Sequence, residues 1–132
     1  MTAPKSTTKP PLESEVQREI LLAAPRYQSR LLRNNVGKFE DGRGQWVHFG
    51  VGGNGGADLL GPTTLLITAE MVGKEVAIFT ACEVKRPGKE ATDNQRAFLD
   101  MVKSRGGIAC VAHSPEEFKG AVDAYKAALR GG

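Results

Sequence analysis

The sequence predicts an α/β fold in which one mixed β-sheet is flanked by helices. Three segments repeat apolar residues at the spacing of three and four positions that places them on one face of a helix. The segments between them contain short apolar runs rich in β-branched residues, which is typical of strands. In chain order the prediction is one helix, three or more antiparallel strands, and then helix, strand and helix.

The three predicted helices have recognisable start and stop signals. The first covers residues 12–24, and Pro25 follows it. Capping-box patterns at Thr92 and Ser114 open the second and third helices, which are predicted to end near Arg105 and Arg130. The positions predicted to face inward are Phe98, Leu99 and Val102 in the second helix, and Phe118, Val122, Tyr125 and Leu129 in the third.

The strand predictions rest on apolar runs between turn residues. Residues 72–74 join two of these runs, so an antiparallel hairpin is expected there. The run at 108–112 is continuously apolar, which indicates a buried strand. The predicted strands cover residues 30–38, 46–49, 65–71, 75–85 and 108–112.

Length and composition indicate one soluble globular domain over residues 12–132, preceded by a disordered arm at 1–11 that is rich in Pro, Thr and Lys. No apolar run is long enough to span a bilayer, and the N-terminus lacks the apolar core of a secretory signal. A cytoplasmic protein is therefore expected. Cys82 and Cys110 are interpreted as small buried hydrophobes in a reducing compartment, with a disulfide or a metal pair as the alternatives.

The charge pattern points weakly to a polyanionic partner. The net charge is only +3, but basic residues outnumber acidic ones in two segments, 26–43 and 85–105. His48 and His113 lack neighbours at metal-ligand spacing, so neither is expected to bind zinc, and His113 is interpreted as a structural histidine. Trp46 is interpreted as a core residue, with base stacking as the alternative.

The most unusual composition lies at residues 50–56, where five of seven residues are glycine. The segment contains G-x-G-x-x-G, but no helical pattern follows it, so a dinucleotide site is not expected. Three interpretations remain open: close backbone approach to a bulky ligand, a tight turn with positive φ before Asp58, or a plain flexible loop.

The stretch around which the chain is organised is residues 79–88. Glu83 and Lys85 lie two positions apart in a predicted strand, so both project from one face. Asp58 lies in a second strand-like run. Two carboxylates and a cation are the groups that metal-assisted phosphodiester cleavage requires. Because Glu-x-Lys is a common pattern, an ordinary surface pair is the alternative.

Together these motifs resemble the VRR-NUC domain, the virus-type replication-repair nuclease branch of the PD-(D/E)xK superfamily. The resemblance spans roughly residues 12–120, and it implies a restriction-endonuclease-like core. Ala57 replaces the Pro that gives the superfamily its name. The segments that carry the resemblance are, in chain order, Gly56-Ala57-Asp58-Leu59, then Glu83-Val84-Lys85-Arg86-Pro87, then Gln95, and then Gly106-Gly107 before an apolar strand.

The resemblance implies a site for Mg²⁺ or Mn²⁺. Asp58, Glu83 and the carbonyl of Val84, whose side chain is expected to be buried, would ligate the metal. Lys85 would orient or activate the attacking water.

The resemblance also implies two supporting roles, each with a competing interpretation. Gln95 would contact the metal-bound water or Lys85, although its place in a capping box allows a purely structural role. Glu13 would bind a second metal or hold a water, and Glu15, half a turn away, competes for that position.

The activity implied is hydrolysis of DNA that leaves a 5′-phosphate, performed by a phage-associated or bacterial homodimer on branched DNA such as four-way (Holliday) junctions. The alternatives are a non-catalytic nucleic-acid-binding module that keeps the fold and, less favoured, a nucleotide-binding enzyme. The residues expected to contact phosphates are Arg33, Lys38, Arg86 and Lys89.

Overall fold

A computed structural model of the protein describes residues 9–131, so most of the predicted N-terminal arm lies outside the described residues. The chain divides into two compact units on either side of the Leu60–Gly61 bond. The prediction of a single domain over 12–132 stays a prediction. No helix within residues 9–131 is long and apolar enough to cross a membrane.

The first unit begins with helix α1, Glu13–Ala23, which confirms the first predicted helix. Glu13 and Glu15 lie in its first turn, where the helix dipole favours negative charge. A 3₁₀ turn, Ala24–Tyr27, continues the helix with Pro25 near its start, and Gln28 ends it in the left-handed conformation with φ of 63°.

Two antiparallel strand pairs complete the first unit. Strand β1, Leu32–Arg33, pairs with β4, Leu59–Leu60. Strand β2, Gly37–Glu40, forms a hairpin with β3, Trp46–Phe49. The predicted strand over 30–38 is therefore divided in two. The division falls at Asn34, whose side chain bonds to other backbone segments; such bonding by Asn competes with regular strand pairing.

The second unit is built on a parallel β-α-β arrangement. Strand β5, Thr80–Val84, pairs in parallel with β6, Ile108–Ala112, and helix α2, Asp93–Ser104, connects them. Helix α3, Pro115–Leu129, follows β6. This order confirms the predicted helix, strand, helix sequence at the end of the chain. The core cluster of the unit consists of Leu99, Val102 and Ala109, packed against Phe79, Ala81, Met101 and Val111.

The predicted hairpin over 65–85 is wrong for most of its length. Residues Ala69–Met71 form a 3₁₀ turn, and only Thr80–Val84 is a strand. An apolar alternation makes a strand only where a neighbour accepts the backbone hydrogen bonds, and within the part of the chain described here no strand pairs with residues 65–78. The side chains left exposed are Leu65, Leu66, Ile67, Val72 and Val76.

The predicted inward faces of α2 and α3 are only partly correct. Leu99 and Val102 are buried, whereas Phe98, Phe118 and Leu129 are exposed. The two cysteines also differ from expectation, since Cys82 is exposed and Cys110 is half-buried. A two-stranded parallel sheet is narrow, so it covers fewer side chains than the wider sheet that the sequence predicts.

The strands form three two-stranded sheets, of which two are antiparallel and one is parallel. The predicted single mixed sheet is thus not continuous among residues 9–131. The coarser prediction holds, because the chain combines small antiparallel and parallel sheets with helices, which is compatible with an α/β nuclease-like domain.

Candidate active site

Glu83 and Lys85 meet at the carboxyl end of β5. Lys85 Nζ lies 3.7 Å from Glu83 Oε1, and the two side chains are 30% and 21% exposed, Glu83 being the more exposed. They share the face of Ala81, which packs against the core. A separation of 3.7 Å exceeds a direct hydrogen bond, so the ammonium offsets the carboxylate charge without bonding tightly to an oxygen.

The end of β5 is held in place by β6. Lys85 N–H donates to the carbonyl of Ala112 at 3.1 Å, which extends the parallel pairing past Val84. At the other end, Ile108 N–H donates to the carbonyl of Phe79 at 3.0 Å. Backbone pairing at both ends fixes the direction in which Glu83 and Lys85 project.

Gly107 permits the close contact between α2, β5 and β6. A Cβ at this position would lie 2.6 Å from the carbonyl oxygen of Phe79 and 2.7 Å from a methyl of Val102, closer than real contacts allow. Gly107 therefore sets the spacing beneath the site.

Val84 does not bury its side chain, which corrects the prediction. The side chain is 74% exposed, because it projects from the face of β5 opposite to Ala81 and the core. The proposed use of its carbonyl as a metal ligand is untouched by this correction and stays a prediction.

Asp58 lies in the first unit, immediately before β4, with an exposed side chain. Its carbonyl accepts a hydrogen bond from Asn34 N–H at 2.8 Å. The Asn34 side chain bonds to the carbonyls of Ala57 at 2.8 Å and Val51 at 2.9 Å, and it accepts from Val51 N–H at 3.0 Å. Asn34 thus ties the backbone before Asp58 to the glycine-rich segment.

Sequence reasoning missed Asn34. The available signal was an amide side chain inside an otherwise apolar strand prediction, since such a residue often bonds to backbone of another segment. The partners at Val51 and Ala57 are distant in sequence and gave no local signal.

The glycine-rich segment forms a tight turn, which confirms one of its three interpretations. Residues Gly53–Gly55 make a 3₁₀ turn, and Gly50 and Gly52 have φ of 89° and 94°. A Cβ on Gly50 would lie 2.5 Å from the carbonyl oxygen of Asn35. The strand β4, not a helix, follows the turn, so the dinucleotide-binding pattern is not realised.

The two acidic candidates in α1 have different surroundings. Glu15 Oε2 accepts the backbone N–H of Leu12 at 3.2 Å, so it caps the helix. Glu13, also exposed, is not part of that cap, and its role in the site stays a prediction. Gln17, one turn on, accepts a hydrogen bond from Arg33 at 3.2 Å and connects the helix to β1.

Gln95 forms the capping box that the sequence predicted. Its Oε1 accepts from Thr92 N–H at 2.9 Å, and its own N–H donates to Thr92 Oγ1 at 3.2 Å. The structural role is therefore present. A further role for its amide nitrogen in the site stays a prediction.

The four predicted phosphate-binding side chains are exposed. Lys38 Nζ lies 5.0 Å from the ring centroid of Trp46, a cation–π contact across the β2–β3 hairpin. Trp46 itself is 59% exposed, so its interpretation as a core residue is wrong. Arg86 opens a turn in which its carbonyl accepts from Lys89 N–H at 3.0 Å.

His113 joins the end of β6 to the loop that follows β5. Its Nε2 lies 2.7 Å from the Lys89 carbonyl oxygen, and its Nδ1 lies 2.8 Å from Glu117 Oε2. Both partners are acceptors, so a doubly protonated ring satisfies both. The Lys89 carbonyl, and next the Glu117 carboxylate, raise the pKa of His113. The interpretation of His113 as structural is confirmed.

Glu117 receives two hydrogen bonds from the same histidine. The backbone N–H of His113 donates at 2.7 Å, and the imidazole adds a second bond. These bonds lower the pKa of the Glu117 carboxyl. The loop carrying Arg86 and Lys89 is thus anchored to the start of α3.

The donor set predicted for a metal is chemically consistent. Asp58 and Glu83 offer carboxylate oxygens and Val84 a carbonyl oxygen, which suit a hard cation such as Mg²⁺ or Mn²⁺. No group of three or more His, Cys, Asp or Glu side chains arranged to hold a metal occurs among the residues described. Asp58 belongs to the first unit and Glu83 to the second, and each is described within its own unit.

Comparison with known families decides what kind of domain carries these residues. The model of the VRR-NUC domain matches residues 25–116, a range that contains Asp58, Glu83, Lys85 and Gln95. The chain belongs to the VRR-NUC domain family. No match was found among curated proteins or among solved structures. Membership confirms the resemblance inferred from the ordered motifs, and it places this VRR-NUC chain in a family of nucleases.

Proposed function

We propose that this VRR-NUC protein is a divalent-metal-dependent nuclease that hydrolyses phosphodiester bonds in DNA. The observation that carries the proposal is the half-buried Glu83–Lys85 pair, 3.7 Å apart at the end of a core strand, inside the family match. A carboxylate beside an ammonium on a rigid strand provides both a metal ligand and a fixed positive charge.

The metal in this proposal is Mg²⁺ or Mn²⁺, which Asp58, Glu83 and the carbonyl of Val84 would hold. Glu13 would hold a second ion or a water. A bound divalent cation supplies polarisation of the scissile phosphate and lowers the pKa of a bound water. Asn34 acts indirectly, since its hydrogen bonds fix the backbone that leads into Asp58.

Lys85 provides the positive charge of the proposed site. Its ammonium orients the attacking water and offsets the negative charge that builds on the phosphorane in the transition state. Because β6 fixes the backbone of Lys85, this charge needs little reorganisation during the reaction. Gln95 would assist through its amide nitrogen while its Oε1 keeps the helix cap.

The proposed DNA contacts come from Arg33, Lys38, Arg86 and Lys89. Exposed cations of this kind bind phosphates largely through counterion release, so affinity should fall steeply with salt. The exposed Trp46 beside Lys38 adds a surface on which an unpaired base can stack.

The proposed substrate is branched DNA, with the four-way junction as the leading case, and the proposed active form is a homodimer. Two strands must be cut in a junction, and a two-fold dimer supplies two equivalent sites. The exposed apolar side chains between residues 65 and 76 favour association, because exposed apolar surface is often buried in an interface.

The proposal is tested by incubating the full chain with end-labelled four-way junction, flap, single-stranded and plain duplex DNA in Mg²⁺, Mn²⁺ or EDTA. Cuts that need the metal and leave a 5′-phosphate support the nuclease. Symmetric cuts confined to the junction support the branched substrate. Equal cutting of all four substrates would contradict the preference for branched DNA but would still support the nuclease activity.

A second candidate function is a nucleic-acid-binding module without catalysis. The observation in its favour is the set of exposed cations, which would bind phosphates whether or not a metal is held: Arg33, Lys38, Arg86 and Lys89. Such a module would bind junction DNA with the same affinity in EDTA and in Mg²⁺ and would cut none of the substrates. That result would replace the nuclease proposal.

A further inference from the structure

The two cysteines of the chain are direct neighbours in the β5–β6 sheet. In the parallel register Cys82 lies opposite Cys110, so their side chains project from the same face. Neither is in a disulfide; Cys82 is exposed and Cys110 is half-buried. The pair is therefore a dithiol with one thiol open to solvent.

The spacing of paired strands suits a disulfide with slight strain. Neighbouring strands lie about 4.8 Å apart. A disulfide needs Cα atoms about 4.4–6.8 Å apart, which this spacing meets, and Cβ atoms about 3.5–4.5 Å apart. Opposed side chains stand side by side at about the strand spacing of 4.8 Å, so the two Cβ atoms must draw together slightly. Strain of this kind raises the reduction potential, and a strained, accessible disulfide is readily reduced again.

The two thiols have different surroundings, which give them different roles in oxidation. Burial, and next a hydrogen bond with Cys82, raise the pKa of the Cys110 thiol. Cys82, being exposed, is the thiol that a dissolved oxidant reaches first. Cys110 is then placed to react with the oxidised sulfur beside it.

We propose that Cys82 and Cys110 form a modification site that a peroxide oxidises reversibly to an intramolecular disulfide. The Cys82 sulfur attacks hydrogen peroxide, the O–O bond breaks, and a sulfenic acid and one water form. The Cys110 sulfur then attacks the Cys82 sulfur, the S–O bond breaks, and a second water leaves. Two thiols and one peroxide thus give one disulfide and two waters, and a dithiol reductant restores the thiols.

The disulfide would also act on the active site, a consequence that rests on the proposed nuclease function. Cys82 directly precedes Glu83, so drawing β5 toward β6 shifts the strand that carries Glu83 and Lys85. A displacement of catalytic groups by a fraction of an ångström to one ångström lowers turnover by about tenfold or more. Oxidation should therefore suppress cleavage, and dithiothreitol should restore it.

The experiment treats the reduced full chain with one equivalent of hydrogen peroxide and maps the tryptic peptides without reduction. The expected product is a peptide pair in which Cys82 and Cys110 of the same chain are joined by a disulfide. Cys110→Ala should instead accumulate a Cys82 sulfenic acid that dimedone traps, and Cys82→Ala should react much more slowly. Phenylarsine oxide, a dithiol probe, should bind the wild type one to one and neither variant.

Either of two results would overturn the proposal: a disulfide joining two copies of the chain, or Cys82 sulfinic acid without any cross-link. The cross-link is measured without DNA, so its outcome does not depend on nuclease activity. If the oxidised chain forms the cross-link but the reduced chain cuts no DNA, only the nuclease proposal is contradicted. If the reduced chain cuts DNA but peroxide forms no cross-link, only the dithiol proposal is contradicted.

Discussion

At the scale of single residues, the position of each candidate side chain is set by its own strand or by a specific neighbour. Glu83 and Lys85 were predictable because side chains two positions apart in a strand must share a face, whichever partner the strand finds. The surroundings of Asp58 were not predictable, since Asn34 reaches it through backbone partners distant in sequence.

Asp58→Asn should weaken binding of Mn²⁺ in isothermal titration calorimetry. The substitution keeps the size of the side chain but removes one negative charge, and hard cations prefer carboxylate to amide oxygen. Asp93→Asn, which removes an exposed carboxylate at the start of α2, is the matched control and should bind as the wild type does. An unchanged titration for Asp58→Asn would remove Asp58 from the ligand set.

His113 gives stability a defined dependence on pH. Its pKa is raised from 6.5 in the folded chain, so its contribution is complete below pH 6.5 and is lost as the pH rises through the raised value. The pKa of Glu117 is lowered from 4.5, so its contribution is present above pH 4.5 and is lost as the pH falls through the lowered value. The pair is most stabilising between pH 4.5 and 6.5.

The measurement is the free energy of unfolding in urea at a series of pH values. His113→Gln should abolish the loss of folding stability above pH 6.5. His48 lacks this pair of acceptors, so His48→Gln should leave that loss unchanged. Parallel pH curves for the wild type and His113→Gln would contradict the role of the imidazolium.

At the scale of elements, local signals predicted the helices better than the strands. The starts of α2 and α3 were predictable because Thr92 and Ser114 cap them through contacts three residues along the chain. The strand predicted over 65–71 failed because pairing depends on a distant partner. Apolar alternation reports which side chains prefer burial, but it does not supply the neighbour that accepts the backbone hydrogen bonds.

Asn34→Ala should destabilise the chain by about 1–3 kcal/mol, because its side chain makes three hydrogen bonds to the backbone of the glycine-rich segment and Ala57. Asn35→Ala, at the adjacent exposed position, is the matched control and should change stability by less than about 0.5 kcal/mol. Urea unfolding measures both. Equal effects of the two substitutions would show that the Asn34 bonds do not hold the segment.

Gly107→Ala should destabilise by about 1–3 kcal/mol, since the added methyl overlaps the Phe79 carbonyl and Val102. Gly120→Ala lies inside α3, where an added Cβ meets nothing within 4 Å, and should stabilise by up to about 1 kcal/mol. Thermal unfolding of the two variants separates steric overlap from helix propensity. If Gly107→Ala leaves the thermal stability unchanged, α2 and the sheet tolerate a wider spacing.

At the scale of the whole molecule, the family was predictable although no single motif is specific. The resemblance rested on the order of Asp58, the Glu83–Lys85 pair, Gln95 and the Gly106-Gly107 pair, and the match over 25–116 confirms the family. The roles of these residues stay predictions. The arrangement of the strands in sheets could not be predicted in the same way. It depends on long-range pairing, and residues 9–131 form three separate strand pairs instead.

Single-turnover cleavage of a four-way junction with Lys85→Ala measures whether Lys85 supplies the catalytic charge beside Glu83. Lys74→Ala, which removes another exposed lysine of the second unit, is the matched control. We expect Lys85→Ala to lose cleavage by about a hundredfold or more while junction affinity and the circular dichroism spectrum stay unchanged. Cleavage by Lys85→Ala at the rate of Lys74→Ala would contradict the claim.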